Sequence, residues 1–142
     1  MKTQKLLFVI VVLFFLTILA GCMNGIVNEE QFIKVQMWVD GENQYEDFIE
    51  ITNNNEVQKV RDIISNIEWE NAKVQMERPA DYRFIFQYKN SNIQAKAVTY
   101  SLWLSSNNDI VEIAKEDHAY AKLNVEQSTI LIETLTDENF NN

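Results

Sequence analysis

The chain has 142 residues, with 12 lysines and arginines against 21 aspartates and glutamates and a formal net charge of −9. So acidic a body is repelled by nucleic-acid phosphates and gains nothing from anionic lipid headgroups, which sets aside nucleic-acid binding and basic-patch membrane adhesion. One histidine and one cysteine cannot build a zinc set, and a single cysteine forms no internal disulfide, so the fold must rest on an ordinary core.

The N-terminal stretch is the most informative. Lys2 and Lys5 precede an uncharged run of 15 residues, Leu6 to Ala20, which closes on Leu19-Ala20-Gly21-Cys22. A basic start, an apolar middle and small residues at a cleavage point make a secretory signal. Its ending is similar to a bacterial lipoprotein signal, with Leu19, Ala20 and Gly21 as the cleavage recognition residues and Cys22 as the lipid attachment site. An uncleaved anchor is the alternative, but 15 residues fall short of the roughly 20 that a spanning helix needs. Two acyl chains on a diacylglyceryl-modified cysteine give stable anchoring where one is marginal. The expected division is residues 1–21 as signal, 22–30 as lipidated cysteine and short tether, 31–136 as one domain and 137–142 as a polar tail. Removing the signal takes away Lys2 and Lys5, two of the 12 basic residues, and moves the net charge from −9 to −11.

Within the domain, Ile33, Val35, Met37 and Val39 alternate with polar residues and predict a first strand over Gln31 to Asp40. Asp40-Gly41 predicts a tight hairpin turn into a second strand, Tyr45 to Thr52. Asn53 with Glu56 three residues on is a capping-box pattern. Val57, Val60, Ile63, Ile64 and Ile67 then give one apolar stripe, predicting a helix over Asn54 to Asn66. Ile67 to Met76 has no clear period. After Pro79, residues Tyr82, Phe84, Phe86 and Tyr88 share one face of a strand, and Ile93 to Ser105 reads as a long strand returning beside it. Ile110 to Ala114 and His118 to Leu123 complete a meander. Asn124 caps a final helix with Gln127 in the capping-box position and Val125, Leu131, Ile132 and Leu135 as its stripe. This order predicts an α+β domain, a mostly antiparallel sheet of five to six strands with two helices packed on one face.

Chemistry is sparse. His118 follows Asp117 on a strand, where neighbours point to opposite faces, so the carboxylate cannot readily orient the imidazole. No serine sits in a Gly-x-Ser-x-Gly turn. Asp40, Glu42, Glu46 and Asp47 crowd one hairpin, but the ligand spacing of a calcium loop is missing. Neither catalytic residues nor metal ligands nor a cofactor is expected. The aromatic row remains: Tyr82, Phe84, Tyr100 and Trp103 are either core or a face for a peptide, a glycan or an apolar molecule. Trp103 lies opposite Tyr100 and Leu102 in strand parity. With few other large groups to fill a second face, it is expected to be buried beneath the Ile67 to Met76 segment.

Pro79-Ala80-Asp81-Tyr82, Tyr100-Ser101-Leu102-Trp103-Leu104 and Asp117-His118-Ala119-Tyr120 together resemble the YhfM-like lipoproteins of Gram-positive, Bacillus-type bacteria, over roughly Asn53 to Leu135. The resemblance implies a lipoprotein signal, a small α+β domain and a single-membrane cell in which that domain faces the wall space. It attaches no activity and no catalytic residues. The functional expectation is a non-catalytic lipoprotein held at the outer face of the cell membrane, binding a cell-envelope protein or glycan. An inhibitor or regulator of an extracellular enzyme or receptor is the second reading. A carboxylate-based hydrolase, with two carboxylates about 5 to 10 Å apart in a cleft, is the third.

Overall fold

The computed structural model describes residues 30–137, apart from residues 74, 108 and 117. The expectations for the signal segment, for Cys22 and the tether up to residue 29, for Asp117 and for the tail beyond 137 lie outside the described residues.

Six strands form one antiparallel sheet: β1 (Gln31–Val39), β2 (Gln44–Ile51), β3 (Tyr82–Tyr88), β4 (Tyr100–Leu104), β5 (Val111–Lys115) and β6 (Ala119–Lys122). Two helices, α1 (Asn54–Ser65) and α2 (Val125–Thr136), complete the α+β domain. The sheet order is β2-β1-β3-β4-β5-β6, so β3 to β6 are the predicted meander and β1 separates β2 from β3. β2 and β3 therefore run parallel to each other on either side of β1, and α1 with its trailing segment is the crossover between them.

Strand parity decides which side chains meet the helices. Ile33, Val35, Phe84, Tyr100, Leu102, Val111 and Ile113 share the inner face and are buried, joined by Val57, Val60 and Ile64 of α1 and Leu131, Ile132 and Leu135 of α2. At about 25 cal/mol per Å² of apolar surface removed from water, this single cluster is the main source of stability. The helices are well delimited. Asn53 accepts from the Asn55 amide (2.9 Å), not from Glu56 as the capping-box pattern suggested. Asn124 and Gln127 do form the predicted reciprocal pair, at 2.8 and 3.3 Å. Ser128, fully buried, is satisfied because its hydroxyl accepts from the Val111 amide (2.9 Å), which ties α2 to β5.

Three local expectations are corrected. The first hairpin turns over four residues, with the Glu42 and Asn43 amides both donating to Val39 O. Its left-handed residue is Asn43 (φ 54°), and Gly41 has no positive φ; asparagine tolerates that conformation because its short amide bonds locally. The strand predicted from Ile93 starts only at Tyr100. On the inner-face parity of Tyr100 and Leu102, residues 93–99 offer Val98 but then Lys96 and Gln94, too little apolar bulk to hold a longer strand on the sheet. They bend away as a loop. Finally, the Ile67 to Met76 segment does not cover the outer face. It pairs with the β6 edge through Glu70 and Tyr120 (2.8 and 3.0 Å), which shields part of an exposed edge, and tucks Trp69 against Tyr100.

Candidate functional site

The four aromatic residues singled out in the sequence do not share a surface. Phe84 and Tyr100 stack in the core at 4.9 Å and 15°, and are 1% and 8% exposed. Tyr82 lies on the same inner face and packs beside the Phe48 ring (5.9 Å). Trp103 points the other way. It is half-buried and not fully covered, because among the described residues no layer lies over that face and only the end of the crossover segment reaches it. Met76 and Arg78 flank it there, and its indole Nε1 donates to Arg78 O (3.0 Å).

The surroundings of Trp103 are built by Arg78 and Asp81. Arg78 grips the Asp81 carboxylate with both guanidinium nitrogens (2.6 and 2.9 Å). Asp81 also accepts from the Leu104 amide (2.7 Å), while Arg78 donates to Leu104 O (2.9 Å). Together the pair supplies the hydrogen bonds that a neighbouring strand would otherwise give Leu104 as β4 ends. The bond to Asp81 is the main reason that the Arg78 guanidinium holds its proton even more strongly than usual.

Beside this clasp, a β-bulge changes which residues face outward. Ile49 stands opposite Val35, but Asp47 stands opposite Gln36, leaving Phe48 as the extra residue. An inserted residue flips the parity of everything beyond it. Tyr45, which would otherwise share the inner parity of Ile49 and Ile51, is turned to the outer face beside Trp38 (5.0 Å between rings). Its hydroxyl donates to Ala80 O (3.0 Å), and the Arg83 guanidinium lies 3.8 Å from its ring centre. Burial raises the Tyr45 pKa, with Arg83 opposing. The result is an open sheet face with half-buried Trp38, Tyr45 and Trp103 at one end. Further along, Lys34 and Asp47 pair at 2.6 Å, each shifting the other toward its charged form.

The remaining candidates are placed as follows. His118 is exposed on the turn before β6. The carboxylates of the first hairpin are turned to their own neighbours, with Asp40 accepting from Trp38, Glu42 from Gln44 and Asp47 from Gln36 and Lys34. Among the described residues, no group of three or more such side chains is disposed to hold a metal ion. A cleft of about 650 Å³ lies at the opposite end of the sheet. It opens between the start of β1, the end of β3, the C-terminal half of α1 and the 89–98 loop.

The sequence model of a family described as YhfM protein matches residues 28–141. The chain belongs to the YhfM family. Neither the curated proteins nor the solved structures gave a significant match. Two of the three sequence runs that resembled YhfM-like proteins meet at the clasp, since Asp81 and Ala80 of the first bond to Leu104 of the second and to Tyr45. For this YhfM domain, those runs are thus first of all structural. Sequence reasoning missed Arg78, Trp38 and Tyr45 as a group. The Arg78-to-Asp81 spacing of three was visible, but the bulge that turns Tyr45 outward leaves no mark in composition or period.

Proposed function

We propose that this YhfM-family protein is a membrane-anchored lipoprotein whose extracytoplasmic domain is a non-catalytic binding module, holding another cell-envelope component on its open sheet face. One observation carries the reading. Among the described residues no layer covers the outer face, yet it gathers two tryptophans, a tyrosine and a stacked arginine at one end, the residue types that contribute most to protein interfaces. Anchoring rests on Leu19-Ala20-Gly21-Cys22. Among the described residues, no helix is long and apolar enough to cross a membrane.

The test has two arms. Cys22→Ser should abolish labelling by a fatty-acid probe and release the protein from the membrane fraction; unchanged labelling and retention would refute the anchor. A photocrosslinking side chain at Ser101, central on the open face, should give a discrete adduct in intact cells that one at Lys59, on the exposed side of α1, does not. Identical adducts from both positions, or none from Ser101, would refute the binding face.

A further inference from the structure

The cleft at the far end of the sheet carries an inference of its own, independent of the partner reading. Its lining includes Arg61, Lys89 and Lys96 and contains neither aspartate nor glutamate. That is unusual in a chain with 21 acidic residues to 12 basic ones.

The three cations are not equivalent. Lys89 is occupied, with its ammonium donating to Glu30 (2.9 Å), Asn54 (3.1 Å) and Thr52 O (3.3 Å). Lys96 pairs with Glu116 at 3.3 Å from an almost fully solvated position. Arg61 is different: it is half-buried, its guanidinium sits 5.0 Å from the centre of the Phe86 ring, and its one hydrogen bond goes to the neutral amide of Gln31. Among the described residues no carboxylate lies within ion-pair distance of it. A guanidinium has five N–H donors in a planar fork suited to a carboxylate, so most of that capacity is unused. Arg78, by contrast, spends its own fork on Asp81.

The walls add shape. Phe86 and Tyr100 meet edge to face at 6.1 Å and 89°, and Ile64 and Val98 extend the apolar surface. Tyr100 belongs to the same lining, and its hydroxyl has no hydrogen-bond partner among the described residues. We infer that this cleft binds a small aromatic carboxylate, with the carboxylate on the Arg61 fork and the Tyr100 hydroxyl and the ring against Phe86. A flat apolar body fits the aromatic walls, and a single negative charge satisfies the one cation of the lining that lacks a carboxylate among the described residues.

The test uses the full chain in nanodiscs of zwitterionic lipid, titrated with 3-phenylpropionate and with its neutral amide, with empty nanodiscs as the blank. The acid should bind saturably and at least tenfold more tightly than the amide. Arg61→Gln should bring the two to equal, weak affinity, while Lys96→Ala should leave the preference intact. Tyr100→Phe should weaken the acid severalfold, and serves as the second variant should Arg61→Gln fail to fold. The inference is overturned by no saturable binding above the blank, by equal affinity of acid and amide for the parent, or by Arg61→Gln keeping the preference. Unchanged acid affinity in Tyr100→Phe overturns it too.

Discussion

Asp81→Ala isolates what the clasp contributes. Asp81 makes a two-pronged pair with Arg78 and accepts the Leu104 amide at 2.7 Å. The ion pair is half exposed, with side chains 49% and 31% accessible, so it contributes at most about 1 kcal/mol. The larger part is the partly buried Leu104 amide, which loses a charged acceptor; leaving such a donor unpaired costs roughly 1 to 3 kcal/mol. The expected loss is therefore about 2 to 3 kcal/mol, a sizeable share of a small domain's 5 to 15 kcal/mol or so. Taking about 4 °C per kcal/mol for a domain of this size, the melting midpoint should fall by roughly 8 to 12 °C. Asp81→Asn keeps an acceptor for the amide and should lose only about 1 kcal/mol, and Arg78→Ala about the same. Urea unfolding of the domain from residue 28 onward, followed by circular dichroism, measures all three. An Asp81→Ala midpoint within about 0.5 kcal/mol of the parent, or an Arg78→Ala loss larger than that of Asp81→Ala, would refute the assignment.

Two further predictions follow from burial. Phe84→Ala removes a 1% exposed ring stacked on Tyr100 and should cost about 3 to 5 kcal/mol in the same urea series, whereas Phe48→Ala, at a 38% exposed bulge position, should cost about 1 kcal/mol or less. Desolvation raises the Tyr100 pKa above the ordinary tyrosine value, against the partial relief of Arg61, so the folded state prefers the neutral phenol. Its contribution is fully present below about pH 10 and is lost as pH rises through the folded pKa, so Tyr100→Phe should flatten the alkaline fall in stability. Equal alkaline slopes for the two proteins would sink that reading. Burial shifts Tyr45 and Tyr120 the same way, so part of the slope persists in the variant.

Much of the fold was legible because parity and period are written into the chain. The alternation of Ile33 and Val35, the row of Tyr82, Phe84 and Phe86, and the stripes of both helices named the buried side correctly, except for Val125, which is 53% exposed at the first turn of α2. Asn124 and Gln127 announced a helix start through local chemistry alone. What could not be read were outcomes that depend on partners distant in sequence. The insertion of β1 between β2 and β3 depends on which edge the meander finds, and no local pattern encodes that. Residues 93–99 alternate well enough for a strand, but of their inner-parity side chains only Val98 packs against the core, so the tertiary setting overrides the pattern. The aromatic residues were visible as a set, and their division was not. Phe84 and Tyr100 follow parity into the core, Trp103 follows it outward, and Tyr45 is reversed by the bulge. Arg61 carried no signal, because its distinction among the three cations of the cleft is the lack of a carboxylate partner among the described residues, which only the assembled neighbours reveal.

The direction of β1 links the two ends of the molecule to the proposed anchor. Under the proposed anchoring at Cys22, the nine residue steps to Gln31 span at most roughly 30 Å, so the start of β1 would stay within that reach of the membrane. From there β1 rises about 3.3 Å per residue to Val39, carrying Trp38 some 23 Å beyond Gln31 along the strand. The aromatic end of the open face, with Trp38, Tyr45 and Trp103, is thereby at the far end of the strand from the Arg61 cleft, which lies beside Gln31. A binding face placed at the far end of a short tether can meet another envelope component without that component approaching the bilayer. Under the same proposal, a cleft at the near end would meet small solutes close to the membrane surface. The same antiparallel sheet thus sets the two proposed sites, of different chemistry, at opposite ends of one strand.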